Sequence, residues 1–137
     1  MMRIFRRSIA GALSLAAIAS SAIPACAIDF TGAWATDAGL CDKVFTKKGK
    51  QLVFSELSDL YGSGFIIENS RIRGRTARCT IQGKKEEGAT LQLQAACATR
   101  MMHSNVQFYL KVIDDNSMAR SFPGLEGMEV IYHRCTF

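Results

Sequence analysis

Four arginines lie within eight residues of the sequence, and their side chains are suited to binding anions. They occur in the segment E-N-S-R-I-R-G-R-T-A-R-C, residues 68–79, and are Arg71, Arg73, Arg75 and Arg78. Each guanidinium presents a planar fork of donors that matches a carboxylate or a phosphate. No acidic residue interrupts the run, and Lys84 and Lys85 extend it. The segment is therefore the first candidate for a binding surface.

The conformation of the segment decides whether those arginines are exposed. In a regular strand over 71–82, three arginines would share a face with Cys79 and Ile81, and burying them would be costly. Gly74 tolerates a β-bulge, which shifts the side chains by one position. We therefore predict a bulge at Gly74-Arg75, with Ile72, Ala77, Cys79 and Ile81 facing the core. Arg71, Arg73 and Arg78 then form an exposed stripe, with Arg75 at the bend.

Two interpretations of the stripe fit the sequence. One is a solvated strand face, or an edge strand that positive charge protects from pairing. The other is a protein-binding surface that includes the neighbouring loop residues Tyr61 and Ser63. Phe122 and Leu125, in the loop before residue 128, would supply its apolar contact area. Nucleic acid is a poorer partner, because no aromatic residue interleaves the basic run.

The first 27 residues have the layout of a secretory signal peptide. A basic start, M-M-R-I-F-R-R, precedes an uncharged, small-residue stretch over 8–24, and Ala25-Cys26-Ala27 offers a cleavage site after Ala27. A twin-arginine signal at Arg6-Arg7 and lipid attachment at Cys26 are alternatives. We expect residues 28–137 to form one domain in the periplasm or outside a Gram-negative bacterium, without a membrane span.

Cleavage changes the charge of the chain. It removes three arginines and no acid, which leaves 14 basic and 12 acidic residues and lowers the formal net charge from +5 to +2. Residues 71–85 hold six of those basic residues and no acid. The mature protein is therefore polarised rather than basic overall, which disfavours a nucleic-acid-binding domain.

Four cysteines remain after residue 27, and they predict two disulfides. They are Cys41, Cys79, Cys97 and Cys135. An even number in a small exported chain is typical of a disulfide framework, and its three possible pairings stay open. The spacings of 38, 18 and 38 residues lack the close pairs of zinc sites. We expect no metal and no cofactor.

Alternating apolar and polar residues predict an all-β fold. In T-L-Q-L-Q-A-A-C, Leu91, Leu93, Ala95 and Cys97 share one face; V-Q-F-Y-L-K-V alternates in the same way. Further strands are predicted over 31–36, 43–46, 51–57, 63–67, 71–82, 117–122 and 128–135, with a helical turn near 55–60. About eight short strands predict a small antiparallel barrel or sandwich. We favour a closed meander barrel, because closure removes exposed edges.

Two short motifs resemble those of known families. Thr31-Gly32-Ala33-Trp34 resembles the G-x-W start of calycin barrels, and this resemblance implies that Arg134 packs against Trp34. It also implies a small-ligand carrier as the alternative function. The glycines around Ser63, with the T-K-K-G loop at 46–49, more distantly resemble bacterial inhibitors of c-type lysozyme. In those proteins the two loops come in the reverse order, and a basic stripe would repel a cationic lysozyme.

Residues typical of enzymes are sparse in this sequence. The two histidines are His103, in a predicted loop, and His133, which shares its strand face with Ile131 and Cys135 and so predicts a buried, hydrogen-bonded side chain. Gly62-Ser63-Gly64 lacks the G-x-S-x-G pattern of a nucleophile elbow. We expect a non-enzymatic module that binds an envelope protein or a host factor in a virulence-associated role; an inhibitor of c-type lysozyme is a further alternative. A filled barrel would favour this function over a ligand carrier, whereas an interior cavity above about 300 Å³ would favour the carrier.

Overall fold

The computed structural model describes residues 28–137, so the predicted signal peptide lies outside the described residues. Its strands are β1 (Gly32–Ala35), β2 (Phe45–Lys48), β3 (Gln51–Phe54), β4 (Gly64–Glu68), β5 (Arg71–Arg73), β6 (Arg78–Glu87), β7 (Thr90–Ala98), β8 (His103–Asp114), β9 (Ser117–Ser121) and β10 (Glu129–Cys135). A short helix, α1 (Cys41–Val44), and two 3₁₀ turns, Ala38–Leu40 and Ser58–Tyr61, complete the described elements.

Eight of these strands form a closed antiparallel barrel, as the sequence predicted. The order is β1-β10-β9-β8-β7-β6-β5-β4, so β4 to β10 follow one another as a meander. Strand β1 completes the ring by pairing with both β4 and β10. Strands β2 and β3 form a separate hairpin. The turns at 74–77 and 99–102 and the loop 122–128 lie at one end of the barrel, here called the loop end.

The barrel interior is filled mainly by apolar side chains from all eight strands. The largest are Trp34, Phe65, Phe108 and Tyr132, with leucines, isoleucines and Met118 between them. Both strands that showed clear alternation send the predicted face inside. These packed side chains form the hydrophobic core of the domain. The guanidinium of Arg120 on β9 also lies on the inner side, 4.5 Å from the centroid of the Phe108 ring, and its buried Nε has no hydrogen-bond partner among the described residues.

A second apolar cluster lies on the outer face of the barrel. It joins Val44 and Phe45 to Ala33, Ala35 and Ile66. The small alanines of β1 let the segment between β1 and β4 pack closely against the wall, and the β2–β3 hairpin adds Phe54, whose ring centroid lies 5.0 Å from that of Phe45. The segment from residue 36 to 63 is thereby part of the folded domain.

The two disulfides resolve the open pairing. Cys79 and Cys97 are directly opposite on β6 and β7 and are bonded inside the barrel. Cys41 is bonded to Cys135, 94 residues away, and this bond attaches α1 to the outer face of β10. Together they confirm the prediction of two disulfides, which are typical of an oxidising compartment.

Arg134 secures the barrel end opposite the loop end, in the contact that the calycin resemblance implied. Its guanidinium carbon lies 4.3 Å from the centroid of the Trp34 ring. Its nitrogens donate to the carbonyl oxygens of Thr31 at 2.6 Å, Asp29 at 2.7 Å and Asp115 at 3.1 Å. The arginine therefore joins the chain before β1 to the turn between β8 and β9.

The residues before β1 adopt a backbone conformation that accommodates Arg134. Gly32 has φ +127°, and a Cβ there would lie 3.4 Å from an Arg134 guanidinium nitrogen. The Thr31 backbone N–H donates to the Asp29 carboxylate at 2.8 Å; this bond, then the Thr31 hydroxyl and the Arg134 charge, lower the pKa of Asp29. The resulting stabilisation is present above the ordinary pKa of 3.8 and is lost as the pH falls through the lowered value.

Three of the sequence predictions for local structure were wrong. Residues 71–82 are two strands joined by a turn over 74–77, in which the Gly74 N–H donates to the Ala77 carbonyl at 2.8 Å, so Ala77 does not face the core. The predicted strand 43–46 begins as α1 and becomes β2 at Phe45. The predicted strand 51–57 ends at Phe54, where the chain turns and the Ser55 N–H donates to the Val44 carbonyl.

The expected inward face of β10 was also wrong. Tyr132 points inside, while Ile131 is 39% exposed and Cys135 is buried only because α1 covers it. His133 is half-buried on the outer face, with its Nδ1 3.3 Å from the Ser117 hydroxyl. Cys135 faces away from the barrel interior, and it is buried because α1 forms an outer layer over β10.

The long-range disulfide is expected to contribute more stability than the cross-strand one. Replacing Cys41 and Cys135 by alanine should lower the free energy of unfolding by about 4.5 kcal/mol, against about 3 kcal/mol for the Cys79 and Cys97 pair, because the longer loop costs more entropy to close. Urea titration of the two double variants measures both values. A larger loss in the Cys79/Cys97 variant would contradict this ranking.

The Arg134→Lys variant is expected to lose about 2 kcal/mol of stability, because lysine keeps the charge but cannot stack flat on Trp34 while reaching three carbonyls. Urea unfolding followed by Trp34 fluorescence tests this expectation. The matched control, Arg100→Lys in an exposed turn, should change stability by less than about 0.5 kcal/mol. Equal losses in both variants would argue against the role given to Arg134.

Candidate functional site

Strand register places the arginines in two neighbouring rows on the outer face of the barrel. The first row, across β5 to β8, is Arg73–Arg78–Ala98–His103. The second, two residues further along each strand, is Arg71–Thr80–Ala96–Asn105. Adjacent strands are about 4.8 Å apart, and residues two apart along a strand are separated by about 6.8 Å.

These rows line an open groove of about 740 Å³, here called the arginine groove. Ala96 and Ala98 form its floor along β7. Arg71, Arg73, Arg78 and Thr80 flank the floor on one side, and His103 and Asn105 flank it on the other. Because the floor carries only methyl groups, the long side chains on either side stand above it.

Arg71 and Arg78 have free guanidinium groups in this groove. Within residues 28–137, neither side chain takes part in a hydrogen bond or an ion pair with another side chain or with the backbone. Both residues are exposed. A carboxylate that entered the groove could therefore accept hydrogen bonds from them without first breaking a contact.

The prediction that Arg73 belongs to an exposed stripe was wrong, because this side chain is bound to acceptors of its own chain. Its Nη2 donates to the Glu68 carboxylate at 2.7 Å and to the Leu52 carbonyl at 2.8 Å. The side chain is only 18% exposed, and its buried Nε has no partner among the described residues. Arg73 thus anchors the β2–β3 hairpin to the barrel, and its charge is paired with that of Glu68 at the edge of the groove.

Arg75 is used differently again. From the turn between β5 and β6 it donates to the carbonyls of Ser55 at 3.0 Å and Glu56 at 2.8 Å, and to the Ser58 hydroxyl at 2.6 Å. Asp59 lies 3.2 Å away as an ion-pair partner. The position at a bend was predicted, but the acceptors were not, since they come from residues 16 to 20 positions earlier.

Tyr61 and Ser63 lie at the loop end, where β1 and β4 begin to diverge. Tyr61 is 39% exposed and closes the second 3₁₀ turn. Ser63 is tied through its backbone to Thr36, with one hydrogen bond of 3.0 Å and one of 3.2 Å. Tyr61 therefore remains available for contact, whereas Ser63 has a structural role at the edge of the barrel.

Phe122 and Leu125 belong to a separate part of the surface. They line an apolar groove of about 640 Å³ with Tyr109 and Met128, and this groove shares no lining residue with the arginine groove. Around the ring, β5 and β6 are separated from β9 and β10 by two strands in either direction. The structure therefore divides the predicted surface between opposite sides of the barrel.

A further groove of about 1070 Å³ continues the arginine groove toward the loop end. Arg73, Arg78 and Ala98 line both grooves, and the continuation adds Phe54 and Met101. Met101 is 95% exposed, which makes it the most exposed large apolar side chain of residues 28–137. The apolar contact area nearest to the free arginines therefore comes from this turn.

Sequence reasoning missed the floor and the far wall of the groove. The available signal was the polar face of β7, where Gln92 and Gln94 are followed by the much smaller Ala96 and Ala98. Small residues on a solvent-facing strand leave space that neighbouring side chains can border. His103 and Asn105 could not be assigned to the same site without the pairing of β7 with β8.

Two features were sought among the described residues: a cluster of metal-binding side chains and a long apolar helix. No group of three or more His, Cys, Asp or Glu side chains between residues 28 and 137 is arranged to hold a metal ion. No helix in that same part of the chain is long and apolar enough to cross a bilayer. No family model, curated protein or solved structure matches the chain.

The Arg75→Gln variant is expected to loosen the segment 55–61 without unfolding the barrel. Glutamine cannot donate to three acceptors at once, so amide protection at Ser58 and Leu60 should fall by about tenfold or more, equivalent to about 1.4 kcal/mol. Hydrogen exchange followed by NMR measures this change. The matched variant Arg78→Gln should leave the same amides unchanged, and equal effects would contradict the distinction.

Proposed function

We propose that this protein is a non-enzymatic binding module that holds an acidic segment of a partner protein in the arginine groove. Its two disulfides favour an oxidising compartment, so we propose a periplasmic or secreted protein. The partner would then be an envelope protein or a host protein. The observation that carries the proposal is the pair of free guanidinium groups, Arg71 and Arg78, above a floor of two alanines.

The contrast among the four arginines supports this function. Arg73 and Arg75 are bound to acceptors from their own chain, as expected for structural residues. Arg71 and Arg78 lie beside them and are bound to no acceptor within residues 28–137. A solvated strand face would explain two exposed cations, but it does not require a groove with small floor residues between two polar walls.

The chemistry of the groove favours a protein over the other partners considered. Among the described residues, no Phe, Tyr or Trp side chain lines the arginine groove, so bases would find no aromatic ring to stack on. A cationic lysozyme would be repelled by the charges of Arg71 and Arg78. Acidic side chains instead complement those arginines, and the neighbouring Phe54 and Met101 add apolar area of the kind that anchors protein interfaces.

A small-ligand carrier is the second candidate, because the barrel is closed and Arg134 packs on Trp34 as in calycins. The filled interior counts against it: inward side chains from every barrel strand meet in one cluster. The three grooves described above are lined mainly by outer-face, turn and loop residues rather than by the inner cluster. A calycin-like carrier therefore ranks below the binding module.

Charge reversal in the groove provides the test. The variant Arg71→Glu/Arg78→Glu should bind a fluorescein-labelled acidic peptide, rich in Glu and Asp, at least tenfold more weakly than wild type, because both free cations become like charges. Fluorescence anisotropy at low and at physiological salt gives the two affinities. Capture from envelope extract and host-cell lysate, with the same two proteins as bait, then identifies the natural partner.

The control for this test is Lys47→Glu/Lys48→Glu on the exposed β2 strand. It changes the net charge by the same amount at residues that do not line the groove. We expect the control to bind nearly as tightly as wild type. If both variants lose affinity equally, the affinity depends on net charge alone and the proposed site is wrong.

A further inference from the structure

We infer that the arginine groove selects an extended peptide with acidic side chains at positions i and i+2. This inference rests on the proposed function and names the class of segment that the groove accepts. It follows from the direction of the floor, the width of the groove and the number of free arginines.

The floor sets the direction in which a peptide lies. Ala96 and Ala98 are alternate residues of one strand, so the floor runs along β7. The flanking residues Arg78 and His103 are the direct pairing partners of Ala98 on β6 and β8. A bound segment therefore runs parallel to the strands, between these two walls.

The width of the groove favours an extended chain over a helix. The backbones of β6 and β8 are two strand spacings apart, about 9.6 Å, before their side chains narrow the space. An α-helix with side chains is about 10–12 Å across. An extended segment is narrower and can settle on the methyl groups of the two alanines.

The spacing of the free arginines then sets the sequence pattern. Arg78 belongs to the first row and Arg71 to the second, two residues further along the strands. Along the strand direction the rows are thus about 6.8 Å apart, which equals the distance between alternate side chains of an extended peptide. Arg71 also lies one strand spacing, about 4.8 Å, further from the floor than Arg78, so its long side chain must extend past Thr80 to reach the peptide. Carboxylates at i and i+2 can each face one guanidinium.

Glu68 shows why the pattern has two acidic residues rather than three. Its carboxylate already accepts a 2.7 Å hydrogen bond from Arg73, at the edge of the groove. The charge of Arg73 is thereby paired within the chain. The side chains of Arg71, which is the cross-strand neighbour of Glu68, and of Arg78 have no hydrogen-bond partner within residues 28–137 and are left for the partner protein. Beyond Arg78 the groove continues to Phe54 and Met101, which suit an apolar residue next to the acidic pair.

Four fluorescein-labelled dodecapeptides with blocked ends test this inference on the oxidised protein. Three share one composition, with two Glu and one Leu among Gly, Ser and Thr, and differ only in the Glu spacing: i, i+2; i, i+1; or i, i+5. In the fourth, Gln replaces both Glu. By anisotropy, we expect the i, i+2 peptide to bind at least fivefold more tightly than the other two acidic peptides.

Single substitutions test whether Arg71 and Arg78 cause the preference for the i, i+2 peptide. In Arg71→Gln, and separately in Arg78→Gln, the i, i+2 peptide should fall to the affinity of the other spacings, while Lys47→Gln/Lys48→Gln should keep the preference. Equal affinity for all three acidic peptides, with loss in both arginine variants, would overturn the spacing rule and leave the proposed function standing. Equal binding of the acidic and Gln peptides, unchanged in the arginine variants, would overturn both.

Discussion

Closure of the barrel by the four-residue strand β1 is the constraint on which the other features depend. Its pairing with β4 on one side and β10 on the other turns an open meander into a ring without free edges. Trp34 points inward from this strand, while Ala33 and Ala35 point outward and remain small enough to be covered. Arg134 secures one end of the closure through three backbone carbonyls.

The closed ring allows the excursion between β1 and β4 to act as a second layer. Phe45 and Phe54 pack on the outside of the wall, and the disulfide from Cys41 to Cys135 attaches the same region to the last strand. Two arginines of the basic run complete that attachment: Arg73 reaches Leu52, and Arg75 reaches residues 55–59. Part of the charge that looked like a binding stripe therefore stabilises the fold.

The proposed site depends on a difference between neighbouring arginines: two are bound to acceptors of their own chain and two are not bound to any described residue. A guanidinium that is already bound to acceptors of its own chain offers little further hydrogen bonding, whereas Arg71 and Arg78 offer both charge and free donors. The register of β5 with β6 sets the spacing of these two arginines. The register of β6 with β7 places the two floor alanines beside them. The proposed selection of a residue spacing therefore depends on rigid pairing of these strands. The Cys79–Cys97 disulfide links one pair of them, β6 and β7.

Much of the architecture is determined by local sequence. Period-two alternation specified β7 and β8 and their inner faces, and the G-x-W start with a late arginine indicated the contact at one barrel end. These features depend on neighbours a few residues apart, or on a motif that can be read directly. The even cysteine count likewise predicted two disulfides.

Only the tertiary structure decided which cysteines pair, that Gly74 lies in a turn rather than a bulge, and which arginines remain free. Each outcome depends on partners distant in sequence: Cys41 meets Cys135, and Arg75 finds its acceptors in residues 55–59. The same holds for the groove, where Ala98 becomes a floor only because Arg78 and His103 are paired on either side of it. Local alternation determines which way a side chain points, but strand pairing determines what it meets.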